Sequence, residues 1–435
     1  MKKQLFILAA AALALASCSN DETIAVNEGI ADANTISFRP FVDGVTRAAS
    51  TSDIASPMAS FKVTAFNHGT TTKPYIDDVT YQNNSSTYYV NSDVSTNGYG
   101  SEYYWPAGNL DFFAYAYTDA SSQVTKLAYN KFMVTPNATA GSPTQTDLVF
   151  ATIQDIGKTT VYNTTQHYGA DGVPLNFRHT GSKIVVKAFN TSANLKFEVD
   201  GWKIGYLDPT RTFTLSETST AGSGTLALAD WAEKYDSNGD SDYDDAGDDN
   251  TVASIATEYS STFDMKTIGA NTAAGSAVSL DGEMILVPQA LTAATDYASA
   301  TVDAKLNGTY IAVKLKIRNN DTNGDDSKGT VIAGSWTDDP DDANNNDIAD
   351  ASEYKTIWAI WPLGGFNFEP GKKYVISIDL AGGGYYEFSQ DNTDDDLDQI
   401  LAGAVIKFVS VSVDNWVTDL NGDSNDNDDI EVTMP

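Results

Sequence analysis

The sequence predicts an all-β chain built from β-sandwiches. Short runs alternate apolar and polar residues, clusters of Gly, Asn, Asp and Ser bound those runs, and long helical periodicity is missing. In chain order the expected strands are TISFRPFV at 35–42, SFKVTAFN at 60–67, LDFFAYAY at 110–117 and KIVVKAFN at 183–190. They continue with YIAVKLKIR at 310–318, KYVISIDL at 373–380 and VIKFVSVSV at 405–413. Valine, isoleucine, threonine and aromatics dominate them because branched and flat side chains pack well on a pleated surface. The best helical candidate, LALADWAEKY at 226–235, is short.

Composition narrows the function classes. Acidic residues number 59 against 26 basic ones, for a formal net charge of −33. Such a chain repels phosphate backbones, which excludes nucleic acid as a partner. A hydrophobic content of 41% with 11% aromatic residues supplies a core and argues against disorder. At about 100–200 residues per domain, the length suggests two domains. The polar break YNTTQHYGADG at 162–172 puts an N-terminal β-sandwich at 48–170 and a C-terminal one at 171–435. Acids are sparse in the first and crowd the second.

The start of the chain carries an address. Met1-Lys2-Lys3 is basic, and the uncharged apolar run Leu5–Ala16 is shorter than the ~20 residues that span a bilayer. It reads as a secretory signal closed by small residues. Leu15-Ala16-Ser17-Cys18 resembles the bacterial lipobox, in which the cysteine is acylated, here with palmitate, and becomes the new N-terminus. Residues 1–17 are therefore expected to be removed, and Cys18, the single cysteine, is expected to anchor the chain to a membrane. The alternative is an ordinary signal peptide with an incidental thiol. Ser19-Asn20-Asp21-Glu22 resembles the acidic export tag of Bacteroidota lipoproteins, which implies the outer face of the outer membrane.

The acids are not spread at random. DSNGD, DTNGD and DLNGD begin at Asp236, Asp321 and Asp419. Oxygens at alternate positions of a tight turn can converge on calcium, which makes Asp236, Asn238, Asp240 and Asp242 candidate ligands. Asp321, Asn323 and Asp325 form a second set, and Asp419, Asn421 and Asp423 a third. In DANNNDIADASE, Asp342, Asn344, Asn346, Asp350 and Glu353 hold the ligand spacing of an EF-hand loop, with Asp347 where that loop has glycine. The competing reading is that Asn-Gly makes hairpin turns and acids solvate the loop tips. No cofactor other than calcium is expected.

Nothing in the sequence assembles a catalytic site. The three histidines are scattered, and no Ser or Cys nucleophile with an Asp partner accompanies His179, which is read as a structural, hydrogen-bonded residue. The aromatics of YYWPAGNLDFF at 103–113 are read as core.

Several strings in this order resemble the fimbrillin family, the subunits of type V pili and their relatives. They are ISF followed by TRAAS, YYWPAGNLDFFAYAY, DLVFA, LNFRHTGSKIVVKAFN, FNFEPGKKYVISIDL and IKFVSVSVDNW. The resemblance spans nearly the whole chain. It implies two transthyretin-like β-sandwich domains and assembly with other pilin subunits into a surface fibre serving adhesion, without catalysis. It also implies cleavage between Arg47 and Ala48, which would free residues 18–47, a lipidated segment carrying the first strand. A vacated groove invites another strand, and the tail at 430–434 offers one, with Ile430, Val432 and Met434 alternating with Glu431 and Thr433. The tail's other option is to fold back beside VIKFVSVSV. The competing functions are a stand-alone or tip adhesin and a glycan-binding surface lipoprotein, for which the 7 Trp and 22 Tyr would supply stacking platforms.

Overall fold

The computed structural model describes residues 35–42, 60–83, 89–91, 103–117, 123–137, 145–163, 166–167, 172–215, 226–233, 257–292, 308–320, 331–333, 357–364, 366–382, 385–387, 408–415 and 431–432. Over these the chain is all-β, with 3-10 turns as its only helical elements.

The first unit is a single sheet closed on itself. β1 (Phe38–Val42), β2 (Ser60–Asn67), β3 (Pro74–Asn83), β4 (Tyr89–Asn91) and β5 (Leu110–Tyr117) belong to it. The hairpin β6 (Val124–Ala128) and β7 (Lys131–Val134) leaves the sheet, and β8 (Leu148–Ile156) returns to it. A small hairpin, β9 (Val161–Asn163) and β10 (Gln166–His167), precedes β11 (Val173–His179). The closed order is β1-β11-β8-β5-β2-β3-β4, with β4 also paired to β1. Its interior holds Phe38, Phe61, Val63, Tyr81, Phe112, Leu175 and Phe177 among others.

The chain changes units between His179 and Ser182. β11 lies beyond the expected boundary at 170/171, yet it runs in the first sheet because its alternate residues Val173, Leu175 and Phe177 face that interior. The crossover is tied down. Thr180 donates from both N–H and Oγ1 to the Leu148 carbonyl, and Ser182 Oγ donates to the Glu369 carbonyl.

The second unit is a sandwich of two sheets. Its strands are β12 (Ser182–Phe189), β13 (Leu195–Leu207), β14 (Arg211–Thr214), β15 (Trp231–Glu233), β16 (Thr257–Ile268) and β17 (Val278–Leu286). Next come β18 (Gln289–Ala290), β19 (Tyr310–Asn319), β20 (Val331–Ala333), β21 (Ile357–Pro362), β22 (Asn367–Phe368) and β23 (Lys372–Asp379). β24 (Tyr385–Glu387), β25 (Phe408–Asn415) and β26 (Glu431–Val432) complete the series. One sheet has the order β17-β12-β23-β25-β26, and the other β16-β13-β19-β21-β24. Between them sit Ile184, Trp202, Met284, Val313, Trp361, Tyr374 and Ile376. Trp202 is fully buried, and its indole N–H donates to the Asp281 carbonyl at 2.8 Å, so its polar edge costs nothing on burial.

A third sheet, β15-β14-β7-β6, takes one hairpin from each unit. β7 pairs with β14 from Phe132↔Phe213 to Val134↔Arg211. It covers a separate aromatic core in which Phe132, Phe150, Phe213 and Trp231 pack ring to ring at 5.3–6.0 Å. This explains the burial of β5. Phe112 and Ala114 face the first interior, while Phe113 and Tyr115 face the bridging core. It also corrects the helical expectation at 226–235. Residues 228–230 form a 3-10 turn and 231–233 a strand, because Trp231 gains more by packing on Phe213 than Leu and Ala gain from helix propensity.

Candidate functional site: the strand that closes the first sheet

The segment 35–42 is short, yet it is deeply packed. Phe38 is 0% exposed, and its ring meets those of Tyr81, Phe112 and Phe61 edge-on at 4.8, 5.5 and 5.8 Å. Ile36 lies in the same interior. Among the described residues the fastening is one-sided. β1 pairs in parallel with β11 along its length, from Phe38↔Val173 to Val42↔Phe177, but within those residues meets β4 only at Phe38↔Tyr89. Pro40 removes a ladder donor from within β1, which fits a strand near an edge.

The start of this segment is held by residues 103–105. Ile36 N donates to the Tyr103 carbonyl at 2.8 Å, and Thr35 bridges Tyr104. Tyr75 OH donates to the Tyr104 carbonyl at 2.5 Å, and Trp105 packs on Phe112 at 5.9 Å. On the other side Val173 N donates to the Ser37 carbonyl at 2.8 Å. Of YYW, expected to be core aromatics, Tyr103 and Trp105 are partly buried against the first interior while Tyr104 is 49% exposed, and alternation carries no signal that this string grips the first strand.

Two polar clusters brace the sheet around the groove. Asp147 and His179, both buried, join β8 to β11 through His179 Nδ1 at 2.9 Å from Asp147 Oδ2. That is the structural role expected for His179. Asp78, at φ 52°, accepts hydrogen bonds from Lys62, Lys126 and Tyr115. Burial pushes the Asp78 carboxyl up, but those three donors outweigh it and hold the pKa below its ordinary value. On an exposed loop, His68 is raised chiefly by its hydrogen bond to Asp111 at 2.8 Å. Among the described residues no group of three His, Cys, Asp or Glu is placed to hold a metal ion, and no helix is long and apolar enough to cross a membrane.

Most sequence-predicted site residues lie outside the described residues. This holds for Cys18, Arg47, Ala48, Ile430, Met434 and every candidate calcium ligand from Asp236 to Asp423. Val432 is described, in β26, where it pairs with Val411 of β25. Over Glu431–Val432, its described part, the tail thus lies beside β25.

A closed all-β unit, sealed by a short leading strand and joined to a sandwich, is the geometry on which the comparisons bear. Residues 46–416 match the model of the fimbrillin-like family, and the chain belongs to that family. The match begins after β1 and ends before β26. No curated protein matches. Among solved structures, a candidate cell adhesion protein from Bacteroides uniformis is similar at 14% identity and TM-score 0.39, covering 89% of this chain and 100% of that one. A second, from Bacteroides ovatus, has 12% identity, TM-score 0.38 and coverage of 88% and 98%. The tip fimbrial protein Mfa3 from Porphyromonas gingivalis, with a C-terminal truncation, has 10% identity, TM-score 0.28 and coverage of 88% and 98%.

Proposed function

We propose that this chain is a subunit of a surface pilus serving adhesion, exported as a lipoprotein and polymerised by strand replacement. Its role is structural, without catalysis. Membership of the fimbrillin-like family supports the class of function. The observation that carries the mechanism is the leading strand. It fills the first interior with Phe38, is laddered along its length on one edge among the described residues, and precedes the Arg47–Ala48 bond. Acylated Cys18 holds the precursor on the outer membrane through this segment. Cleavage after Arg47 leaves β1 held by non-covalent contacts alone. Its departure exposes an apolar groove and unpaired backbone groups, a costly edge that accepts a strand from another subunit. The tail at 430–434 leaves β25 and supplies that strand. Surface ligands of the host or of other bacteria are the targets of adhesion.

Electron microscopy and unboiled gels of surface-sheared material, with and without trypsin, test this reading. The wild type should give protease-dependent polymers. Arg47→Ala should stay lipid-anchored and monomeric, and a chain truncated after Trp416 should fold and be cleaved without extending a fibre. Normal polymers from either variant would sink the assignment. Mass spectrometry should find an acylated N-terminal Cys18, and Cys18→Ser should release a soluble protein.

A further inference from the structure

Three neighbouring strands of the first sheet, β2, β5 and β8, meet in a polar cluster at one end. One oxygen of Asp111, buried near the start of β5, lies 2.8 Å from His68 Nδ1 and accepts the Asp155 N–H at 2.8 Å. Its other oxygen accepts the Gly69 N–H at 3.4 Å. Asp155, near the end of β8, accepts from Asn109 Nδ2 at 2.8 Å, and the same oxygen stands 3.8 Å from His68 Nε2. Among the described residues, Asp111 from β5 and Asp155 from β8 are the charged groups that face the His68 ring; Lys62, on the strand that leads to it, faces Asp78. The charge on the ring decides how many carboxylates it holds. A protonated imidazole presents an N–H to each. A neutral one that keeps its proton toward Asp111 turns a lone pair on Asp155, and attraction becomes repulsion.

The cluster also ties together the two segments that grip the leading strand. Residues 68–75 and 103–111 are joined at one end by His68, whose N–H donates to the Asn109 carbonyl at 2.9 Å and whose ring meets Asp111. At the other end Tyr75 OH donates to the Tyr104 carbonyl at 2.5 Å. Tyr103 then accepts the Ile36 N–H, and Tyr104 bridges Thr35. A change at His68 therefore reaches the start of the leading strand through one short stretch of chain.

We propose that His68, Asp111 and Asp155 form a pH-sensitive clasp on the start of the leading strand, closed when the imidazole is charged and loosened when it is neutral. The hydrogen bond to Asp111 is the chief reason that the ring stays charged above its ordinary value of 6.5. Because the folded value is raised, the clasp contributes in full below pH 6.5 and is lost as pH rises through the folded value. The clasp belongs to the uncleaved chain. Its consequence for assembly rests on the strand-replacement reading above: mildly acidic surroundings keep β1 seated, and mildly alkaline ones favour its departure.

Amide exchange on the full uncleaved chain, corrected for the intrinsic pH dependence of exchange, tests the clasp. Protection of the Ile36 and Asp155 amides should fall by about two- to fivefold from pH 6 to pH 9 in the wild type, the size of an exposed ion pair. His68→Gln, which still donates to Asp111 but cannot titrate, should show the same protection at both pH values. A flat wild type, or an equal fall in the variant, overturns the proposal. If His68→Gln impairs folding, Asp155→Asn serves instead: it removes the exposed carboxylate and should shrink the fall, and an undiminished fall overturns the proposal. The pilus reading is judged separately, on cleaved protein. A wild type that never polymerises sinks that reading while pH-linked exchange still supports the clasp; polymers from a chain whose exchange is flat with pH sink only the clasp.

Discussion

The first unit wraps one sheet until β1 reaches both β11 and β4, whereas the second stacks two open sheets around Trp202 and Tyr374. In the second, the central strands are locked on both edges. β13 pairs with β16 on one side and β19 on the other along most of its thirteen residues. The polar edges of Trp202 and Tyr374 in its core are satisfied as well. Tyr374 OH donates to the Asn367 carbonyl at 2.7 Å and accepts from Glu369 N at 2.8 Å, and burial pushes its pKa up to about 12. In the first, a five-residue strand laddered along one edge among the described residues completes the ring, and two of its neighbours keep unpaired donors. Both units bury aromatics, so the difference does not lie in hydrophobic content. It lies in how many edges hold the strand that closes the core.

Four experiments break or sharpen this contrast. The largest effect is expected from Phe38→Ala, which empties the centre of the first interior and should cost about 3–5 kcal/mol in denaturant unfolding. Hydrogen exchange should place the loss in β1, β2 and β3, with β13 amides still protected; equal loss in β13 would mean that the units do not differ. Next comes Gln145→Ala. The Gln145 side-chain oxygen accepts from Ile285 N at 2.6 Å, a bond between the units, and its loss leaves a buried N–H costing about 1–3 kcal/mol. Calorimetry should show the loss shared by both units.

The third experiment uses metal. If the Asp/Asn loops of the acidic second unit bind calcium, a tenfold excess over the dissociation constant adds about 1.4 kcal/mol, which reads as a melting temperature a few degrees higher. Magnesium should do less, because it demands a stricter octahedron. No shift at low ionic strength leaves these loops as solvated turns. The smallest effect belongs to Asp78→Asn, about 1 kcal/mol or less for a half-exposed ion pair at neutral pH. Because the folded pKa is depressed, that contribution is complete above the ordinary value near 3.8 and disappears as pH falls through the folded one. In urea titrations the difference between wild type and Asp78→Asn should therefore be smaller at pH 2.5 than at pH 7.

Much of the fold was legible because alternation reports which strands have one buried face. KIVVKAFN, YIAVKLKIR and KYVISIDL fall in β12, β19 and β23 with boundaries shifted by at most one residue. LDFFAYAY is a strand for the same reason, but its burial on both faces depends on the hairpin at 124–134, which no local pattern announces. Trp231 went astray because alanine and leucine around it favour a helix, while its contact with Phe213 is nonlocal. The leading strand was visible as TISFRPFV; its one-sided ladder was not, since pairing order is set by partners distant in sequence. Tyr81 escaped notice because an unpaired hydroxyl looks like any other tyrosine until its surroundings are placed.

The bridging sheet has a mechanical consequence. The two units are joined covalently at residues 180–181 and, independently, by the β7–β14 ladder over its aromatic core. In the proposed fibre, a tensile load would therefore divide between two parallel routes inside each subunit. To part the units, force must overcome the hydrogen bonds of that ladder and draw Phe132 and Phe213 into water together, rather than peel one contact at a time. A single tether would let the units swivel like a hinge. Two attachments make a brace against that motion.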